Sequence, residues 1–498
     1  MQLLIPPLDA AIVVGYLAFS IMLGLWVGRG QKSTLDYFLG NRSLPTWTVL
    51  LSIVATETST VTFLSIPGFT FAQDGDMRFL QITFGYIVGR FLVIWILLPR
   101  YFEGQIFTAY EVLQQRFGIV SRRVTSALFL VTRNLSDALR LYLTALALQQ
   151  VVGLELTHCI VLLGVVTIVY TFLGGVKSVV WNDCLQFFIY IVGALVALWL
   201  MITRLPGGWE QLTQFGEATD RLRIFDFDLS LTKPTMTFWS GLIGGIFLTA
   251  ATHGTDQLMV QRYLSSRSQR SASWALGLSG FIVCLQFALF LFIGVALACF
   301  YREHPPEVQF GAGDGDKVFA HFIVNYLGTG LVGLTLSAVF AAAMSTLSSS
   351  LNSSATVLVQ DIFLPLTKTE LAPTQQLWIS RIATAGFGIL QIGIAIASYQ
   401  IGATESTVSS VLSIASFALG PLLGLYLLAV FTNRVHQRAA LTGFCVGVIS
   451  ISAIAFTTNL YWAWYAGVGA LITLSSGYLA SFCIAETPLS DAYSENSQ

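Results

Sequence analysis

Charge is what this 498-residue chain has least of: Asp, Glu, Lys and Arg together make up only 10 %. A soluble domain carries roughly 25 %. So few charges cannot cover a water-facing surface of this size, and a large soluble fold is excluded. No excess of basic residues points to nucleic acid, since the formal net charge is -1. The six cysteines (Cys159, Cys184, Cys284, Cys299, Cys445, Cys483) are scattered without a CxxC or Cys/His cluster. Neither a disulfide framework nor a metal site is indicated. The five histidines are dispersed as well, with no metal-ligand spacing or nucleophile–base pair to suggest a membrane-embedded enzyme.

What is abundant is apolar sequence, at 55 % of residues and a mean hydropathy of +0.73. It comes in runs of about 20 residues, the length that crosses about 30 Å of hydrocarbon. About thirteen spans are expected, near 8–28, 45–71, 78–98, 123–151, 157–174, 183–203, 236–260, 273–300, 321–361, 378–399, 404–431, 438–457 and 460–482. The fold class is therefore an all-α polytopic membrane protein. Residues 1–485 form one transmembrane domain, followed by a short tail at 486–498. The first run lacks a basic leader and is followed by Arg29 and Lys32, so it reads as a retained helix. One set of alternate loops holds most of the Lys and Arg, among them Arg29, Arg42, Arg100, Arg122, Arg262 and Arg434. The positive-inside rule then sets the N-terminus outside and the C-terminus in the cytoplasm of a cell (inner) membrane.

Four stretches hold polar chemistry at membrane depth. Ser52–Thr62 carries polar oxygen on seven of eleven side chains, including the carboxylate of Glu57. It suits an interrupted helix lining a cavity, where freed carbonyls bind a cation; a packing face between helices is the alternative. In the ninth span, Ser345, Ser348 and Ser349 share one face at i, i+3, i+4, and Thr346 is offset by about 100°. Close helix packing and cation binding are both open to it. Asp183 opens the sixth span, either as a helix cap or as a cation ligand. Arg133, Asp137 and Arg140 form a stripe in the fourth, either an ion-pair strip or a substrate contact. Arg90 and Arg381 are expected to snorkel from span ends. The seventh span, Gly241–Gln257, is also broken by glycine and polar residues. Two broken spans in matching positions point to an inverted-repeat transporter.

At these residues the chain resembles the solute:sodium symporter family, the group of sodium–glucose, proline, sialic acid and iodide transporters. The likeness is carried by Asp36–Trp47, Gly174–Asp183, Asp256–Arg262, the Ser-rich ninth span through Asp361, and Gly420–Gly424. The resemblance implies a five-plus-five, leucine-transporter-like core with repeats at 45–203 and 236–431. It implies a shared sodium site on backbone carbonyls of Ala55, Thr58 and Ala342 with the hydroxyls of Ser345 and Thr346. A second sodium would use Asp183, Ser345, Ser348 and Ser349. The substrate pocket would draw on Glu57, Ser59, Thr62, Gln81, Phe247 and Ser416, with Arg133 and Asp137 as further candidates. The expected function is sodium-coupled symport of a small polar or anionic organic solute by alternating access. Na+ is the coupling ion, no other cofactor is expected, and the protein is read as a monomer in the bilayer. A transporter-fold sensor or a channel-like sodium pathway is the rival reading.

Overall fold

The computed structural model describes residues 6–484 except 59, 307, 309, 312, 313, 368 and 403–416. Among the described residues all regular structure is helical, apart from one isolated bridge between Leu44 and Ser266. Eight helices among the described residues are long and apolar enough to cross a membrane. There are nine if α2 (Thr46–Glu57) and α3 (Thr60–Phe71), bent by 57°, count as one span. The shortfall from about thirteen has physical causes. The fourth expected span lies in α5 (Ile119–Val152), which carries Arg133, Asp137 and Arg140. The fifth and sixth are one 49-residue helix, α6 (Leu156–Arg204). At 1.5 Å per residue that is roughly 75 Å, far more than one bilayer crossing. It turns at Gly175, whose φ of 54° only glycine adopts without strain.

The other helices that frame the site or the fold around it are α1 (Pro7–Val27), α4 (Gln81–Leu92), α7 (Gly245–Thr255), α8 (Gln257–Leu264), α9 (Gln269–Glu303), α10 (Leu331–Val357), α11 (Pro373–Gln400), α12 (Leu419–Phe431), α13 (Gln437–Thr457) and α14 (Tyr465–Cys483), with shorter helical segments between them. Helix α10 is the axis of the molecule. Its apolar window is 89 % buried, against 28 % for α1. Ala341–Ala343 and the serine run make this possible, because small side chains let α1, α5, α6 and α11 approach from all sides.

Both expected interruptions exist. Helix α2 ends at Thr58, which leaves helical geometry at φ -88°, ψ 89°. Helix α7 ends at Asp256, extended at φ -81°, ψ 123°. The Asp256 carboxylate then caps α8 by accepting from the Leu258 amide at 2.9 Å. A capped break costs less than an open one, since the first N–H groups of a helix have no internal partner.

Candidate functional site

Asp183 lies eight residues past the Gly175 turn, inside α6, and is fully buried. That position rules out the helix-cap role. Its carboxylate is held by three other helices. Ser345 of α10 donates to Oδ1 at 2.6 Å, and Ser52 of α2 donates to Oδ2 at 2.5 Å. Arg262 of α8 reaches Oδ2 with Nη2 at 3.1 Å. The same guanidinium donates to Ser52 Oγ at 2.8 Å and to the hydroxyls of Thr56 and Ser349. Arg262 is therefore no loop charge: it is buried, and it pairs with the carboxylate expected to bind sodium. Ser349 joins this cluster, whereas Ser348 turns its hydroxyl onto the Ser345 carbonyl of its own helix at 3.2 Å.

The residues of the expected shared site meet one layer away. Thr346 of α10 donates to the Thr56 carbonyl at 3.3 Å, so α10 seals against the unwound end of α2. Ala55, Thr58, Ala342, Ser345 and Thr346 are all buried. The Thr58 hydroxyl is committed to the Val54 carbonyl at 3.0 Å and also receives Tyr190 at 3.3 Å and Gln286. That leaves its backbone as the group to offer an ion.

Glu57 closes α2, and its carboxylate is clamped. Arg90 Nη2 donates to both oxygens, at 2.6 and 2.5 Å, and His253 Nε2 lies 2.6 Å from Oε1. A carboxylate only accepts. His253 must therefore donate through Nε2, and in the neutral ring its Nδ1, 2.8 Å from the Tyr263 hydroxyl, accepts from that hydroxyl. Arg90 was expected to snorkel, but it is wholly buried in α4. The reason is Glu57, since a buried carboxylate holds the guanidinium that a lipid-facing helix would send to the interface.

The remaining substrate candidates separate. Gln81 spends its amide on the long loop between α6 and α7: Nε2 donates to the Arg78 and Met236 carbonyls, and Oε1 accepts the Asp226 amide at 3.0 Å. Phe247 packs on Gly467 of α14. Thr62 lies 3.4 Å from the Glu57 carbonyl. Ser59 and Ser416 fall outside the described residues. Arg133 grips Asp137 bidentately at 2.6 and 3.0 Å and reaches Asp256 at 3.3 Å, so α5 braces the break between α7 and α8. Arg140 adds a bond to Asp137 at 3.1 Å. The stripe is thus an ion-pair strip, and it also lines a cavity of about 100 Å³ with Tyr110, Ser136 and Asp256.

Sequence reasoning missed Arg90, His253 and Arg262. Glu57 was the available signal for the first two, because an intramembrane carboxylate implies a partner. Arg262 had a weaker one: it is only the sixth residue of α8 after the break at Asp256, too few to carry it out of the protein.

Two broken helices, backed by a buried carboxylate and a ring of hydroxyls, define a sodium-coupled secondary transporter. The comparisons agree. The model of the "Sodium:solute symporter family" matches residues 37–447. The sodium/sialic acid symporter SiaT of Proteus mirabilis (strain HI4320) is 28 % identical over 483 residues, 95 % of each chain. The sodium-coupled monocarboxylate transporter 1 of Mus musculus is 32 % identical over 461 residues, covering 91 % of this chain and 74 % of that one. The sodium-dependent multivitamin transporter of Oryctolagus cuniculus is 30 % identical over 476 residues, 93 % and 71 % of the two chains. A solved Na+-coupled sialic acid symporter, in a substrate-bound outward-open state, superposes with a TM-score of 0.88 at 27 % identity over 96 % of this chain and 98 % of that one. A nucleobase-cation-symport-1 family transporter shares the fold at a TM-score of 0.58 and 15 % identity, covering 92 % and 96 %.

The chain belongs to the sodium:solute symporter family. It is a multi-pass membrane transporter that uses Na+ as its coupling ion, and its family and relatives are transporters rather than enzymes.

Proposed function

We propose that this protein imports a small organic carboxylate with sodium, and that two ions accompany each solute. The cavity beside Arg133 and Arg140 carries the solute class. Two guanidinium groups line it, and Arg140 bonds Asp137 through Nη1 alone, which leaves donors for a ligand. Its volume of about 100 Å³ suits a small carboxylate better than a bulky sugar acid. Relatives named for sialic acid and for monocarboxylates are named for acids, which agrees with this reading.

One ion takes the carbonyls of Ala55, Thr58 and Ala342 with Ser345 and Thr346. The other takes Asp183, Ser345, Ser348 and Ser349, with Ser348 turning toward the ion from its helix carbonyl. Glu57, Ser59, Thr62, Phe247 and Ser416 complete the solute path; Gln81 serves it only by holding the loop above. The core is a five-plus-five inverted repeat over residues 45–203 and 236–431. It sits in the inner membrane as a monomer, within a domain of residues 1–485, with the N-terminus outside and the tail at 486–498 in the cytoplasm.

The test is uptake into proteoliposomes under an imposed sodium gradient, comparing labelled carboxylates with their amides. Sodium-dependent uptake of a carboxylate but not of its amide is the expected result. Equal uptake of both overturns the anionic reading. The shift of reversal potential with the sodium gradient reads the ion count, and one sodium per solute, unchanged in Asp183→Asn, overturns the second ion.

A further inference from the structure

The Asp183 cluster contains a cation of its own. Its carboxylate has two oxygens, and both are engaged: Oδ1 by Ser345, Oδ2 by Ser52 and Arg262. The Ser349 hydroxyl gives its proton to the Ser345 carbonyl at 2.8 Å and turns its oxygen to Arg262 Nη2. So Nη2 takes up Asp183 Oδ2 and Ser349 Oγ, two of the oxygens through which a sodium ion would be held.

We propose that Arg262 is a tethered rival of the second sodium ion, and that guanidinium and ion exclude one another at Asp183. The inference rests on the reading of Asp183 as a sodium ligand. Its physical basis is charge compensation. A carboxylate buried among four helices needs a positive partner at all times, because an unpaired buried charge is strongly destabilising. Arg262 supplies that partner when the ion is away. Two cations on one buried carboxylate repel each other, so when the ion arrives the guanidinium must leave. The site stays neutral throughout, which lets it release sodium without stranding Asp183.

Exchange at Asp183 also moves a helix. Arg262 stands on α8, which is only eight residues long and starts at the extended Asp256. Its Nη1 bonds the Leu258 carbonyl of the same helix, so side chain and helix move as a unit. Nε and Nη2 strap α8 to α2 through Ser52 and Thr56. Withdrawing the guanidinium therefore opens the strap between the half-helices that follow one break and precede the other. Sodium binding and the α2–α8 strap compete for the same groups. By linkage, whatever favours the strap must weaken sodium by the same factor.

Equilibrium binding of radiosodium to the purified full-length protein in detergent tests this. The unaltered protein is expected to show two components, one of which Asp183→Asn removes. In Arg262→Gln that Asp183-dependent component should tighten by about tenfold, the reverse of what loss of a ligand or a loosened fold produces. If it stays at its original affinity, the rivalry is wrong while the second site stands. If Asp183→Asn removes nothing from the unaltered protein, the second site itself is wrong and the rivalry falls with it. Should Arg262→Gln fail to fold, hydrogen exchange of the unaltered protein decides. Sodium, compared with potassium, should speed exchange across residues 257–266 at concentrations that fill the Asp183-dependent component. Unchanged exchange there overturns the proposal.

Discussion

Asp183 and Glu57 are both carboxylates at membrane depth, and each faces an arginine. Their surroundings differ in kind. Glu57 receives both of its oxygens' bonds from one guanidinium nitrogen plus an imidazole that is itself fixed by Tyr263. Asp183 is held by hydroxyls of two helices and by an arginine from a third, which divides its donors among several oxygens. The first arrangement has few partners and close charge–charge contacts, which suits a permanent clamp. The second has many replaceable neutral oxygens, which suits a site where a monovalent cation comes and goes. Within one membrane interior, the partners decide whether a carboxylate keeps its cation fixed or exchanges it.

The sharpest way to break this comparison is to remove one half of each pair. Arg90→Met leaves Glu57 buried without its cation and should cost about 3–5 kcal/mol of stability. The double variant Glu57→Gln with Arg90→Met should recover most of that loss, as read by thermal unfolding in detergent. A double variant as unstable as the single one would show that Arg90 acts through packing. Ser345→Ala comes next, because Ser345 is assigned to both sodium sites. The loss of one hydroxyl ligand, about 1–1.5 kcal/mol, should raise the sodium concentration for half-maximal uptake by about tenfold. Thr346→Ala, assigned to one site only, should raise it less, and equal effects would erase the distinction between the sites. Glu57→Gln should raise the KM for solute several-fold while sodium affinity holds; the opposite pattern would move Glu57 to the ion site.

The smallest effect concerns a carboxylate outside the expected spans. Asp226, in the loop between α6 and α7, has its pKa pushed up by partial burial and, more strongly, pulled down to about 2 by Lys233, the Asp228 amide and Arg78. A lowered folded-state pKa stabilises above the ordinary carboxylate range of about 4 and loses that stabilisation as pH falls through about 2. Unfolding temperature should thus be flat in this term from pH 7 to about 5 and fall below about 4. Asp226→Asn should flatten that acid limb, and an acid limb unchanged by the substitution would assign it to other groups.

Much of this was legible in the sequence. The interruption at Thr58 announced itself by its polar density, and the one at Asp256 by glycine and polar residues in an apolar run. The serine face of α10 followed from helical spacing, and Asp183 belonged to the right cluster although its place in α6 was wrong. What escaped was pairing. Arg90 and Arg262 look in sequence like charges near helix ends, and Gln81 looks like any polar residue in a span. Their roles depend on groups more than 30 to 200 residues away: Glu57 for Arg90, Ser52 for Arg262 and Met236 for Gln81. No local pattern encodes such distances. The division at Gly175 was legible too, since separate apolar runs at 157–174 and 183–203 flank the residue whose φ turns the 49-residue helix.

The contact between Thr346 and the Thr56 carbonyl joins residues 290 positions apart in the chain. The stretch Ser52–Thr62 leaves the ribosome with its seven polar side chains long before α10 exists to meet them. At about 5–20 residues per second, that wait is roughly 15–60 s. During it the half-helix has no protein partner for its freed carbonyls and cannot rest in lipid. The insertion machinery must shelter it until synthesis catches up. The residues that make the site useful thus also make the nascent chain hard to assemble.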